Sequence, residues 1–290
     1  MISSMTLRIS VDSIGDTPTK IVEKYGIEHI PININYGTKT FKANVDITAD
    51  EVLKGLLAGE VYKTSLTNPE EFKSYFEPYA QDGIDCIHVS FSSKLSGLYQ
   101  SALIAKKELI EKYPNFKMAV IDSWSSGFNL SSIAIRAKTL YEKGKTMEEI
   151  EEILNHIGTT DYEILMGIDD LTHLYRTGRI NKTSKVIGGL LNVKPILTFK
   201  DGDIEECAKE RGTKRLVKKM AELIEEKSDL ETTETVAVGH AGNKELAEKV
   251  AEAIKDKFVN TEVIVRAFDS PVHIIVLGPK SIVFFGPKKK

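Results

Sequence analysis

The feature that most constrains this chain is a repeated alternation in its first half. Short apolar runs give way to amphipathic stretches, and the runs end on Asp or Ser. Residues 7–11 read as a strand that stops at Asp12. Thr17 offers a cap and Pro18 a first helical residue for a short helix through Ile21, Val22 and Tyr25, ending at Gly26. Residues 30–35 and 39–42 bracket Tyr36-Gly37 as a small hairpin. Thr48 with Glu51, Asn68-Pro69 with Glu71, and Thr146 with Glu149 carry the capping-box pattern of helix starts. Residues 84–89 and 118–121 are further strands. A helix is expected from about Gly97 to Lys112, with Leu98, Ala102, Ala105 and Leu109 on one stripe, and another through Leu130, Ile133, Ala134 and Ala137 as far as Gly144. Strands that are apolar on both faces and alternate with helices belong to a mostly parallel sheet covered on both sides.

The pattern changes after Thr160. Residues 162–168 are strand-like, and Gly178 and the Gly188-Gly189 pair interrupt a segment of short helices. Residues 194–199 and 204–207 flank Asp201-Gly202, a hairpin turn. A charged amphipathic helix spans about 213–227, and residues 228–235 read as loop. A strand at 236–239, a helix at about 244–258 and three strands at 261–267, 272–277 and 281–285 follow. Lys288-Lys289-Lys290 reads as a solvated tail. The expectation is an α/β chain of two domains. Residues 1–160 form a parallel-sheet domain with a hairpin insertion near 30–45, and residues 161–290 form a second α/β domain with a mixed sheet. A chain of 290 residues is long enough for both.

Composition removes several classes. The 39 basic and 42 acidic residues leave a net charge of -3, which gives no support to nucleic acid as a partner. No apolar run reaches the roughly 18–20 residues of an integral membrane segment. The opening residues lack the apolar stretch of a signal peptide. Cys86 and Cys207 are too few for a disulfide framework or an all-cysteine zinc site, so no metal is expected. These points are read together as a cytoplasmic protein with reduced thiols.

In an open parallel sheet, ligands bind beyond the carboxyl ends of the strands. Short polar groups fall at such ends: Asp12-Ser13, Thr64-Ser65, Ser90 with Ser92 and Ser93, Asp122-Ser123, and Ser125-Ser126-Gly127. Ser96-Gly97 opens the long helix, whose free N–H groups suit a carboxylate or phosphate. Thr64 or Ser65 is placed to supply an opposing hydroxyl. Capping alone is the competing reading for each hydroxyl. Arg179 in Thr177-Gly178-Arg179-Ile180-Asn181, and Arg211-Gly212, fit either an anion or partner, or a structural ion pair. His88, inside an apolar run, reads as a core histidine, and His240 as the better ligand candidate. Asp169-Asp170 is read as a cap. No GxGxxG, phosphate-binding loop, GxSxG or HExxH spacing is present, and no Ser-His-Asp set can be assigned.

At these residues the sequence resembles the DegV family of bacterial fatty-acid-binding proteins. The resemblance rests on the opening from Asp12 to Pro18, the Thr64-Ser65 pair, and Ser92-Ser93-Lys94-Leu95-Ser96-Gly97-Leu98-Tyr99-Gln100-Ser101-Ala102. It continues through Gly178-Arg179-Ile180, the stretch from Gly189 to Ile196, and Arg211-Gly212. It implies two α/β domains with a fatty acid between them or inside the first. The carboxylate would lie near Thr64, Ser65, Ser96 and the Gly97 N–H, and the tail in an apolar tunnel. Ser93, Asp12, Ser13, Asp122, Ser123, Arg179 and Lys280 are implied as supporting or partner contacts. It also implies a separate ATP-dependent fatty-acid kinase that makes acyl phosphate for phospholipid synthesis. This chain would be the carrier, with no catalytic centre and no cofactor beyond the bound fatty acid.

One departure stands out. Where the family carries a histidine before Thr-Gly-Pro-Gly, this chain has Val276 before Leu277-Gly278-Pro279-Lys280. His273 lies three residues earlier, and on a strand that offset turns it to the other face. Two alternatives stay open: an enzyme acting on a small carboxylated or phosphorylated substrate, with His240, Asp12 or Asp122 as base, and a regulatory or scaffold protein that binds no lipid.

Overall fold

A computed structural model describes residues 7–180, 193–231 and 235–290. Met1 to Thr6, Asn181, the Gly188-Gly189 pair and the stretch from Gly189 to Asn192 therefore lie outside the described residues. The chain forms two compact units. One comprises Met1–Asn33 with Ser65–Gly158, and the other Ile34–Thr64 with Thr159–Lys290. The first crossing departs from the expected division. The hairpin region belongs with the second unit, not with the first.

In chain order, β1 is Leu7–Asp12, α1 Thr19–Tyr25, β2 Ile27–Ile30, β3 Asn33–Tyr36, β4 Lys39–Lys42, α2 Ala49–Leu57 and β5 Lys63–Ser65. Then come α3 Pro69–Gln81, β6 Asp85–Ser90, α4 Leu98–Lys112, β7 Met118–Asp122, α5 Phe128–Glu142 and α6 Met147–Leu154. The remainder is β8 Tyr162–Gly167, α7 Thr172–Thr177, β9 Val193–Lys200, β10 Asp203–Arg211, α8 Thr213–Lys227, β11 Thr235–His240, α9 Lys244–Lys255, β12 Glu262–Ala267, α10 Pro271–Leu277 and β13 Ile282–Pro287.

The first unit is built on the sheet β2-β1-β6-β7, parallel at every pairing. Strands β1, β6 and β7 are buried on both faces, as their unbroken apolar character requires: Val11, Ile87, Val89, Ala119 and Ile121 have no exposed surface. Phe72 and Phe76 from α3 pack there, each contributing about 2–3 kcal/mol by burial. The stripe Leu98, Ala102, Ala105 and Leu109 of α4 is buried as expected. All three capping boxes form, with the Ncap side chain and the Glu at the fourth position bonded reciprocally. Thr17 does not cap α1. Pro18 takes that place, and the Thr17 hydroxyl bonds instead to His29 Nε2 at 2.8 Å and to Ser131.

The strand order has one consequence for function. The chain moves outward from β1 to β2, then returns to the other side of β1 at β6. The crevice at the carboxyl ends of β1 and β6 is therefore the topological switch point, where open α/β sheets hold ligands.

The second unit has a mixed sheet, β10-β9-β8-β13-β11-β12, in which β11 and β12 pair in parallel and the other neighbours are antiparallel. Asp201 and Gly202 both adopt positive φ, at 50° and 82°, which suits the twist of the β9–β10 hairpin. The core gathers Leu216, Met220 and Ile224 of α8, Val250 and Ile254 of α9, and Val238 and Phe284 of the sheet. The small sheet β4-β3-β5 and α2 complete it. The Leu53 side chain of α2 closes on the backbone of Gly242, where an added Cβ would meet its Cδ2 at 3.0 Å. That packing, with α2 lying on α10, ties 34–64 to this unit.

Residues 271–277 form α10, not the expected strand. Pro271 sits in its first turn, and every side chain from Pro271 to Leu277 is buried. A segment apolar all round has no period to tell a buried helix from a buried strand. The strand argument about His273 falls with it, because residues three apart share a helix face.

Candidate functional site

The switch-point crevice is lined by the segments that follow β1 and β6. After β1, Ser13 opens a short 3-10 turn, and its hydroxyl accepts the Ile32 N–H at 2.9 Å. After β6 the chain runs through Phe91 and Ser92 to Gly97, the Ncap of α4. Two buried carboxylates hold this second segment. Asp12 Oδ2 accepts the Ser90 hydroxyl at 2.8 Å and the Phe91 N–H at 2.7 Å. Asp122 Oδ1 accepts the Ser93 N–H at 3.0 Å. The Ser92 carbonyl then accepts Leu95 N–H at 3.0 Å and Ser96 N–H at 3.2 Å, which closes a turn ahead of α4.

Ser93 and Gly97 are exposed and Ser96 half-buried. Ser96 Oγ lies 3.4 Å from the Leu98 N–H, so its hydroxyl sits over the start of α4 as an acceptor and keeps its own proton to donate. Gly97 has φ -81°, and an added Cβ there would meet Leu66 Cδ2 at 3.2 Å. The stretch directly after Thr64-Ser65 therefore lies against the entrance of α4. Thr64 is half-buried and Ser65 exposed at the end of β5. Free N–H groups at a helix start, a hydroxyl donor and an open approach make a suitable place for a carboxylate or phosphate without any basic side chain.

The carboxyl end of β7 adds a feature absent from the sequence reading. Trp124 and His156 both take positive φ, 48° and 65°, and their rings stack with centroids 3.9 Å apart. Lys94, from the segment before α4, places its Nζ 5.3 Å from the centre of the Trp124 ring. His156 Nε2 lies 3.6 Å from Asp122 Oδ2. Burial raises the Tyr99 phenol above its ordinary pKa, and the Asp122 charge raises it further. Ser123 N–H bonds to Ser90 O at 3.2 Å, and its hydroxyl bonds with Ser125.

A second unexpected set lies beneath. Ser10 and His88 are paired across β1 and β6, and Asp12 lies two residues beyond Ser10 on the same face. Ser10 Oγ is 3.1 Å from His88 Nδ1, and His88 Nε2 is 3.4 Å from Asp12 Oδ1. The residue types are those of a hydrolytic relay. Yet Ser10 is only 2% exposed, and His88 and Asp12 not at all, so no substrate reaches the hydroxyl.

The remaining candidates stand apart. In the second unit, Arg179 is half-buried and turns Nη1 back to Thr177 O at 2.5 Å, while burial lowers its pKa. Asp170 Oδ1 accepts the Thr172 N–H and hydroxyl just ahead of α7, whose Ncap is Leu171 and not the expected aspartate, whereas Asp169 pairs with Lys194. Lys280 is exposed, with φ 66°. His273 packs between Phe268, at 5.0 Å, and Phe285, at 6.3 Å, and burial lowers its pKa to about 3. His240 is also held low, first by burial and then by Lys244. Among the described residues, no group of three or more His, Cys, Asp or Glu could hold a metal. None of the described helices is long and apolar enough to cross a membrane.

Fold and site thus define a two-unit α/β protein whose parallel sheet gathers polar strand ends and the start of a long helix at its switch point. Residues 6–286 match the family described as "Uncharacterised protein, DegV family", and the chain belongs to the DegV family. A DegV domain-containing protein from Clostridium perfringens is 30% identical, covering 97% of this chain and 98% of its own length. The crystal structure of DegV, a fatty acid binding protein from Bacillus subtilis, superposes with a TM-score of 0.83 at 26% identity, covering 99% of this chain and 100% of that one. The Fatty Acid Kinase (Fak) B3 protein of Streptococcus pneumoniae, loaded with linoleic acid, gives 0.82 at 20% identity, over 98% and 100% of the two chains, and shares the fold.

Proposed function

We propose that this protein binds a long-chain fatty acid and presents it to a separate ATP-dependent kinase, without a catalytic centre of its own. The observation that carries the reading is the pre-formed segment from Ser92 to Gly97. It is fixed by Asp12 and Asp122, and it offers a half-buried hydroxyl and a helix entrance that packs against Leu66. Thr64, Ser65, Ser96 and the Gly97 N–H hold the carboxylate on this reading. The tail occupies an apolar tunnel. Each buried methylene contributes about 0.8 kcal/mol, so a long chain binds tightly with few polar contacts. Support also comes from relatives of the same fold, among them a fatty acid binding protein and one loaded with linoleic acid.

The kinase partnership rests on the name of that second relative. Acyl phosphate made by such a partner would feed phospholipid synthesis, and the work would be done in the cytoplasm. Arg179 and Lys280 are the partner-facing candidates.

The test is native mass measurement of the purified protein, followed by denaturation and identification of what is released. One fatty acid per chain is the expected result. No bound lipid, and no uptake of added oleic acid, would reject the reading. With a kinase in hand, Arg179→Ala is expected to slow acyl-phosphate formation at saturating lipid while leaving lipid affinity intact. Equal rates would remove Arg179 from that role.

A further inference from the structure

We propose that His88 is a positioning residue for the head-group segment and acts through Asp12; the proposal rests on the fatty-acid reading of that segment. Asp12 is a fully buried carboxylate at the switch point, and a buried charge needs a partner for each oxygen. Oδ2 has two, the Ser90 hydroxyl and the Phe91 N–H. Oδ1 has no hydrogen-bond donor, and His88 Nε2, likewise without a hydrogen-bond partner, lies 3.4 Å from it. The imidazole is aimed from two sides. Phe72 and Phe76 meet its ring edge-on, with centroids 5.3 and 5.9 Å away. The Ser10 hydroxyl lies at Nδ1. If Ser10 donates to Nδ1, the tautomer carries its proton on Nε2, the ring nitrogen that lies 3.4 Å from Asp12 Oδ1 without forming a hydrogen bond to it in this structure. An aliphatic side chain would pack equally well against the two phenylalanines. What it could not do is set a polar nitrogen beside Oδ1.

The path onward is continuous. Asp12 fixes Phe91, and the Ser92 carbonyl next to it fixes the Ser96 N–H at 3.2 Å. Without His88, Oδ1 loses that polar neighbour. The carboxylate is then free to turn, and the bond to Phe91 weakens. Parallel-strand register makes this possible, because it sets Ser10 against His88 and leaves Asp12 at the same face one step further along.

Two readouts test the proposal: affinity for oleic acid, and hydrogen exchange at the Phe91 and Ser96 amides without lipid. His88→Leu is expected to bind oleic acid about tenfold more weakly, and to lose protection at Phe91 by a similar factor, the scale of one lost contact to a charged group. His88→Gln keeps a donor and is expected to restore both. In an Asp12→Asn background, His88→Leu is expected to add nothing further. Unchanged exchange at Phe91, or additive losses in the double variant, would overturn the proposal. If His88→Leu does not fold, Ser10→Ala serves in its place. It leaves the ring present but unaimed, and undiminished protection at Phe91 would be equally fatal. Failure of the wild-type protein to take up oleic acid would count against the fatty-acid reading alone, since the exchange measurement still decides the role of His88.

Discussion

Asp122 Oδ1 accepts the backbone N–H of Ser93 at 3.0 Å, across 29 residues of sequence. A carboxylate at the end of β7 thereby holds the segment that leads into α4. Removing the acceptor leaves the Ser93 and Trp124 N–H groups without it. Asp122→Ala is expected to lower stability by about 1–3 kcal/mol and to weaken fatty-acid uptake, while Asp122→Asn keeps an acceptor and loses less. Denaturant unfolding and lipid titration of both variants check this. Equal midpoints and affinities for wild type and Asp122→Ala would dismiss Asp122 as an anchor.

Ser96→Ala and Thr64→Ala address the head-group site itself. Each removes a donor to the carboxylate without disturbing a core side chain, since both residues are only half-buried. Affinity for oleic acid is expected to fall about tenfold in each, with the unfolding midpoint little changed, because hydrogen bonds to a charged group contribute about 1.5–3 kcal/mol. Unchanged affinity in both would take these hydroxyls out of the site.

Much of the fold is legible in the sequence, because its signals are local. Each capping box and each buried run is complete within a few residues, and the Asp201-Gly202 turn is set by two adjacent positions. The failures come where a local pattern has no contrast or the partner is distant. α10 is apolar on every face, so neither period favours helix or strand. The hairpin near Tyr36 is readable, but its attachment to the second unit depends on α2 meeting α10 and Gly242. Ser92, Ser96 and Asp122 can be picked out as strand-end polar residues. The link from His88 to Asp12 cannot be found without knowing that β1 and β6 are neighbours and which residues pair. Once the parallel order is given, the shared two-residue spacing of Ser10-Asp12 and His88-Ser90 becomes the signal.

Trp124 is the sole tryptophan, so its emission reports one place only. Its ring stacks on His156, Lys94 Nζ lies 5.3 Å from the ring centre, and its backbone N–H bonds to the same Asp122 that holds Ser93. Lipid entering beside Ser96 is expected to shift or quench that emission. His156→Ala is expected to change the unliganded spectrum, because it removes the stacked ring, while leaving oleic acid affinity within about threefold, the range of a lost exposed aromatic contact. A spectrum insensitive both to lipid and to His156→Ala would mean that the stack is independent of the segment before α4.

His273 gives the second unit a pH dependence whose sign can be worked out. Burial against Phe268 and Phe285, with Arg266 adding to it, lowers its folded pKa from 6.5 to about 3. In the unfolded chain the group titrates near the ordinary value. Above that value both states are neutral, and His273 contributes no pH dependence. As the pH falls below it, the unfolded chain binds a proton that the folded chain refuses. Stability is then lost by up to about 1.4 kcal/mol per pH unit until the folded value is reached. His273→Leu removes this source and leaves all others in place. The unfolding temperature of wild type relative to the variant is therefore expected to drop by several degrees between about pH 7 and about pH 5. A gap that stays constant over that window would show that the imidazole takes up its proton in the folded protein as readily as in the unfolded chain.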